Sequence, residues 1–160
     1  MKHFILYLII MFNFLLTPIK VKITIPIPTY QIIPITDTEL SIRTSLVSNI
    51  AKEYIGIPYN YGSANKHATD CSGLVQQMYI QIDNIKLPRT STQMSRLGVK
   101  VCLDSLEVGD LLCFSGHVAM YINNDSIVHA TSQGVVYNII GDNVWNSYWI
   151  KRYKFSKRIL

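Results

Sequence analysis

Three side chains in this sequence have the types and surroundings of a nucleophilic centre: Cys71, His117 and His129. Cys71 follows Asp70 and opens an apolar stripe of Leu74, Val75, Met78, Tyr79 and Ile82 at helical spacing, so its sulfur falls in the first turn of a helix that Asp70 caps. A thiolate there is favoured by the helix dipole and by unpaired N–H groups, and a neighbouring imidazolium favours it further. The adjacent Asp70 charge opposes it, so that carboxylate has to be directed to the backbone or to substrate. A thiol activated in this way is expected to react with iodoacetamide well before Cys102 or Cys113. The base comes from a hairpin whose strands carry His117 and His129 around Asn123-Asn124-Asp125. If all three residues form the loop, Ala119 pairs with His129, and the two histidines share a face as diagonal neighbours about 7–8 Å apart. A two-residue loop shifts the register by one and separates them onto opposite faces. On the three-residue register His117 is the general base toward Cys71 and His129 orients its ring from behind. Val118, Met120, Ile122, Val128 and Ala130 then form the opposite, core-facing side. Zinc is the rival use of a cysteine and two histidines, but these lack the short paired spacings of structural zinc, and no metal is expected. His67 reads as a loop histidine.

The elements that hold this group are legible in outline. Thr36 and Glu39 match a capping box, and Leu40, Ile42, Leu46, Val47, Ile50, Ala51 and Tyr54 recur at helical spacing up to Gly56. A polar loop precedes the Cys71 helix, and a second capping box at Thr90 and Gln93 opens a short third helix that ends at Gly98. Six strands are expected after it: Val99 to Leu103, Asp110 to Phe114, His117 to Ile122, Ser126 to Thr131, Val135 to Ile139, and about Trp149 to Phe155. Helices first and an antiparallel meander second make an α+β domain, with the Cys71 helix packed on the sheet.

Length and composition bound the rest. One hundred and sixty residues, 49% apolar and 16% charged, suffice for one packed domain and exclude wholesale disorder. The formal charge of +5 is local, because Lys151, Arg152, Lys154, Lys157 and Arg158 crowd the last ten positions. They read as the solvated face of a last strand, with attraction to an anionic polymer as the weaker reading. No module for nucleic-acid binding is visible. Residues 1–17 hold an apolar run from Phe4 to Leu16, the length of a signal peptide or signal anchor and short of a bilayer span. Residues 18–35 carry four of the six prolines and read as an extended linker, which leaves 36–160 as the domain. Three cysteines make no disulfide framework, and Cys102 and Cys113 are expected to be small buried sheet residues, with a bond between them conceivable after export.

The ordered set Asp70-Cys71-Ser72-Gly73-Leu74-Val75, Leu87-Pro88-Arg89-Thr90, Val108-Gly109-Asp110-Leu111, His117-Val118-Ala119-Met120-Tyr121-Ile122 and Ile127-Val128-His129-Ala130 resembles the NlpC family of bacterial cell-wall cysteine peptidases. The resemblance runs from about Ile50 to Leu160. It implies a papain-like fold, with helices packed on an antiparallel sheet and the nucleophile at a helix N-terminus. It also implies cleavage of a peptidoglycan stem peptide, commonly between γ-D-glutamyl and meso-diaminopimelate or lysine. A monomer that needs no cofactor is expected. By motif position Cys71 is the nucleophile, His117 the base and His129 the third polar residue. Tyr59 matches a tyrosine near the oxyanion, and a phenol donor beside the start of the Cys71 helix suits that role. Asp70 and Ser72 match residues that hold the free amino end of the stem peptide, against the simpler reading of helix capping. Two departures bear on the cleft: Gly62-Ser63 stands where the family usually has two glycines, and only Ser115 and Gly116 separate Phe114 from His117. The rivals are a wall-binding module on the same fold and an amidase or acyltransferase that uses the same cysteine.

Overall fold

The computed structural model describes residues 36–159. The leader expected at 1–17 and the linker at 18–35 lie outside the described residues. Helix α1, Asp37–Tyr54, begins at the anticipated capping box: Thr36 Oγ1 accepts from the Glu39 amide at 3.2 Å, and the Thr36 amide donates back to the Glu39 carboxylate at 2.8 Å. Its apolar stripe is buried only in the C-terminal half, through Val47, Ile50, Ala51 and Tyr54, whereas Leu40, Ile42 and Leu46 stay exposed. Helix α2, Cys71–Asp83, is capped by Asp70 and stops where Asn84 turns left-handed at φ 54°. The third helix, α3, is the single turn Ser91–Met94 capped by Thr90.

Six strands follow: β1 Val99–Val101, β2 Leu111–Phe114, β3 His117–Asn123, β4 Ser126–Thr131, β5 Gly134–Ile139 and β6 Tyr153–Arg158. All neighbours are antiparallel, in the order β1-β6-β2-β3-β4-β5. Strands β2 to β5 form the expected meander, but the last strand returns to lie between β1 and β2. Lys151, Arg152 and Lys154 are exposed, as a solvated face requires, but that placement corrects the reading for Lys157 and Arg158. Lys157 is buried and donates to the Gly98 carbonyl at 3.0 Å, and Arg158 reaches the buried Asp110 carboxylate at 2.8 Å. The last strand also starts later than expected, because Trp145–Trp149 coils into a π-helical turn first.

The α2 side of the sheet carries the larger core, with Leu74, Val75 and Met78 against Val118, Met120, Val128 and Ala130. The other side carries Leu112, Phe114, Ala119 and Ile127 under Trp145. Both faces are apolar, so the sheet is a middle layer and its register is strongly specified. The β1 and β6 registers also settle Cys102 and Cys113. Cys113 pairs with Phe155 on one side of β6, while Cys102 follows Val101 on the other side. Two strand spacings, about 9.5 Å, lie between their backbones, beyond disulfide reach, and both thiols are free. Cys113 is buried as expected, but Cys102 is exposed, because β1 ends one residue before it.

Candidate active site

The two histidines meet because of a compensation in the β3–β4 hairpin. Its turn uses only two residues, Asn124 and Asp125, both left-handed at φ 42° and 58°, the conformation favoured where strands twist into a tight hairpin. By itself this would offset the register and put the rings on opposite faces. An irregularity between Tyr121 and Asn123 absorbs the extra residue, so Met120 pairs with Val128 and Tyr121 with Ile127. The register is therefore the one expected from a three-residue loop, reached by a two-residue turn and a bulge.

His117 Nε2 lies 2.9 Å from His129 Nδ1, and His129 Nε2 lies 2.6 Å from Asn138 Oδ1 on β5. This chain fixes the protons. The Asn138 carbonyl oxygen only accepts, so His129 carries its hydrogen on Nε2 and presents a lone pair at Nδ1. His117 must then donate through Nε2, which leaves Nδ1 as the ring's free base. Trp149 covers the pair, stacked on His117 at 5.0 Å and 27° and edge-on to His129 at 4.6 Å. Burial, with the neighbouring His129 adding to it, pushes His117 down to about 3. His129 is also pushed down by burial, with the Asn138 hydrogen bond opposing. Both rings are neutral at ordinary pH. The sequence reading missed Asn138 and the covering role of Trp149. Asn138 sits at an alternating polar position of β5, and only its place opposite β4 shows its use.

Cys71 is buried at the start of α2. Burial pushes the thiol up, the Val118 amide opposes this, and the Asp70 charge adds to it. Burial and the Asp70 charge thus oppose the activation expected from the dipole. The labelling order changes accordingly. Iodoacetamide is expected to modify exposed Cys102 first, with Cys71 lagging behind it at pH 7 and gaining most as pH rises above 9. Peptide mapping of the alkylated protein checks this, and Cys71 reacting first at pH 7 would restore the thiolate reading.

Around the sulfur, the loop from Gly56 to Asp70 is held by one carboxylate. Asp70 accepts from the Gly73 amide at 2.7 Å, the Gly62 amide at 2.8 Å, Ser72 Oγ at 3.2 Å and both terminal nitrogens of Arg89 at 2.6 and 2.9 Å. Burial alone would raise this carboxyl, but Arg89 and the two amides outweigh it and hold it below the ordinary range. Arg89 also donates to Ser72 Oγ and to the Ser63 carbonyl, both at 3.0 Å. It belongs to a motif that the sequence showed, yet its partner was not legible there. Gly62 takes a positive φ of 83°, so this position of the Gly62-Ser63 departure is still a glycine turn. Gly73 is required by close approach, since a side chain there would meet the Ser63 carbonyl.

Tyr59 is 38% exposed and faces the same place. Burial raises its phenol, with the Cys71 charge the next cause, so the hydroxyl stays protonated. Tyr59 and His117 open onto a cleft of about 780 Å³, bounded by the β4–β5 turn and by the segment from Val144 to Arg152. That is the size of a small-ligand site. Among the described residues no group of three His, Cys, Asp or Glu side chains is arranged to hold a metal ion, and none of the helices is long and apolar enough to cross a membrane.

The model of the NlpC/P60 family matches residues 56–157. The chain is 34% identical over 114 residues to an Escherichia coli protein named murein DD-endopeptidase MepS/murein LD-carboxypeptidase, which covers 68% of this chain and 58% of that protein. It is 33% identical over 158 residues to the gamma-DL-glutamyl hydrolase of Bacillus subtilis, covering 92% of this chain and 36% of that protein. The crystal structure of an NlpC/P60 family protein from Bacillus cereus superposes with a TM-score of 0.65 at 28% identity, over 73% of this chain and 40% of that one. The chain thus spans less than two thirds of the length of either curated relative.

Proposed function

The chain belongs to the NlpC/P60 family and has its papain-like fold, and from that premise we propose that it is an exported cysteine peptidase that hydrolyses peptidoglycan stem peptides through a thioester. The observation that carries this reading is the relay from Asn138 through His129 to His117, which ends in one free imidazole lone pair.

In this reading His117 Nδ1 takes the thiol proton as Cys71 Sγ attacks the scissile carbonyl, and the carbonyl oxygen becomes negative. The amides at the start of α2 and the Tyr59 hydroxyl stabilise that oxygen, a contribution whose loss costs about 10²–10³ in rate. The carbon–nitrogen bond then breaks, and the leaving amine takes the proton from His117. Water attacks the thioester, gives a proton to His117, and releases Cys71, which recovers it. His129 keeps the ring oriented while it carries charge, and Trp149 keeps water off the pair. Asp70 and Ser72 shape the wall near the amino end of the stem peptide. An amine approaching there meets a carboxylate that Arg89 already neutralises, which favours the capping role over direct capture.

The bond is read as γ-D-glutamyl to a diamino acid, and the Bacillus relative's name supports it. A second reading, the cross-link between two D-centres, is favoured by the name of the Escherichia coli relative. Mass spectrometry of muropeptides digested by the full chain tests both. A cut on the γ-D-glutamyl side supports the first, a cut at the cross-link supports the second, and intact muropeptides overturn the hydrolase. Export rests on the apolar run from Phe4 to Leu16, and its test is fractionation, with the intact chain in the cytosol as the contrary result.

A further inference from the structure

The cleft beside His117 has a charge asymmetry that the reaction itself does not require. Of the residues that bound it, Arg152 is the one with a permanent charge, and none is a carboxylate. Among the described residues Arg43, Arg89 and Arg158 each pair with a carboxylate, whereas Arg96 and Arg152 do not, and of these two Arg152 is the one that bounds the cleft. Arg152 is nevertheless held in place. Its guanidinium lies 3.7 Å from the centre of the Tyr148 ring, and Nη1 donates to the Tyr148 carbonyl at 3.3 Å. Its backbone is tied at both ends, the amide to the Trp149 carbonyl at 2.9 Å and the carbonyl to the Ser115 amide at 3.2 Å, on the turn that leads into His117. A stacked guanidinium with one N–H used and four free is preorganised for a planar, two-oxygen acceptor.

The cleft also has a defined side. His117 lines it and Cys71 does not. The imidazole must hand its proton to the leaving nitrogen, whereas the acyl half stays bonded to the sulfur at the start of α2. The half of the substrate against this cleft is therefore the half that departs as an amine. We propose that Arg152 forms a carboxylate subsite for that leaving half, so that the chain selects a leaving residue with a free side-chain carboxylate, such as meso-diaminopimelate, over lysine or the corresponding carboxamide. This rests on the hydrolase reading and adds to it the identity of the diamino acid.

The test uses the full chain and three stem peptides that differ only in the leaving residue: diaminopimelate, its side-chain amide, and lysine. The wild type is expected to show a kcat/KM about ten-fold higher for the free carboxylate than for the amide, the size of one charge-assisted contact at an exposed site, with the ratio falling at high salt. Arg152→Gln is expected to bring the ratio to about one, Arg152→Lys to keep part of it, and Lys151→Gln, an exposed neighbour outside the cleft, to leave it at ten. A wild type without preference, or an Arg152→Gln enzyme that keeps it, overturns the subsite. Calorimetric binding of diaminopimelate and of its side-chain amide to the unreacted protein separates the two levels. If no peptide is cut but diaminopimelate binds tighter than the amide and Arg152→Gln abolishes the difference, the subsite stands and the hydrolase reading falls. Equal binding of both ligands to the wild type overturns the subsite.

Discussion

Replacing Cys71 with Ala is expected to bring muropeptide hydrolysis to background, at least 10⁴-fold below the native chain, because the acyl intermediate is built on its sulfur. The substitution removes one buried sulfur and leaves the Asp70–Arg89 lattice intact, so folding should survive and circular dichroism can confirm it. The relay then ranks the remaining residues. His117→Ala removes the base and should cost about 10³–10⁴-fold, within the range for positioned proton transfer. His129→Ala removes the acceptor that sets the His117 tautomer and should cost less, about 10²-fold. Asn138→Leu removes one hydrogen bond from the far end, and a bond worth about 1.4 kcal/mol corresponds to about ten-fold. Asn138→Asp keeps an acceptor and should restore most of that loss. Unchanged hydrolysis in Cys71→Ala would exclude the thioester and favour the wall-binding module or another chemistry. A ranking in which Asn138 outweighs His117 would break the relay.

The parts of this site that could be seen in the sequence were those written in local spacing. The start of α2, its Asp70 cap and the Thr36–Glu39 capping box depend on residues within four positions and stand where the spacing puts them, while at Thr90 only the half in which its hydroxyl accepts from the Gln93 amide forms. The shared face of His117 and His129 is legible only conditionally, because loop length alone does not set the register when a bulge can offset it. The chain pairs a short left-handed turn with such a compensating bulge. What stayed hidden was set by distant pairing. The insertion of β6 between β1 and β2 leaves no periodic trace, so Lys157 and Arg158 looked like surface charge when one is buried and the other fastens Asp110. Asn138 and Trp149 escaped for the same reason, since each acts on a ring that is its neighbour only after the sheet has formed. The sense of the Cys71 shift also depended on tertiary structure: the dipole argument is local, but the burial that outweighs it comes from the packing of α2 on β3 and β4.

The buried histidine pair should also make the folded chain sensitive to mild acid. In the folded state His117 titrates at about 3, against an ordinary 6.5 in the unfolded chain, and burial shifts His129 in the same direction. Between those values the unfolded state binds a proton that the native state refuses, so stability is complete above about pH 6.5 and declines as pH falls toward 3. At pH 5 the gap amounts to about 1.5 pH units for His117, or about 2 kcal/mol, with His129 adding to it. Ordinary carboxylates are still ionised in both states at that pH, and Asp70, held low by Arg89, begins to contribute only further down. Urea unfolding at pH 7.5 and pH 5 measures this directly. The native chain should lose at least 2 kcal/mol between the two, a large share of the 5–15 kcal/mol that holds an ordinary domain together. His117→Gln, which cannot take up the proton, should lose about 2 kcal/mol less, and an identical loss in both proteins would mean that His117 is solvated and titrates normally. Such a result would reach the chemistry as well, because the desolvation that makes acid destabilising is what keeps His117 uncharged, with its Nδ1 lone pair free, across the range in which the enzyme would work.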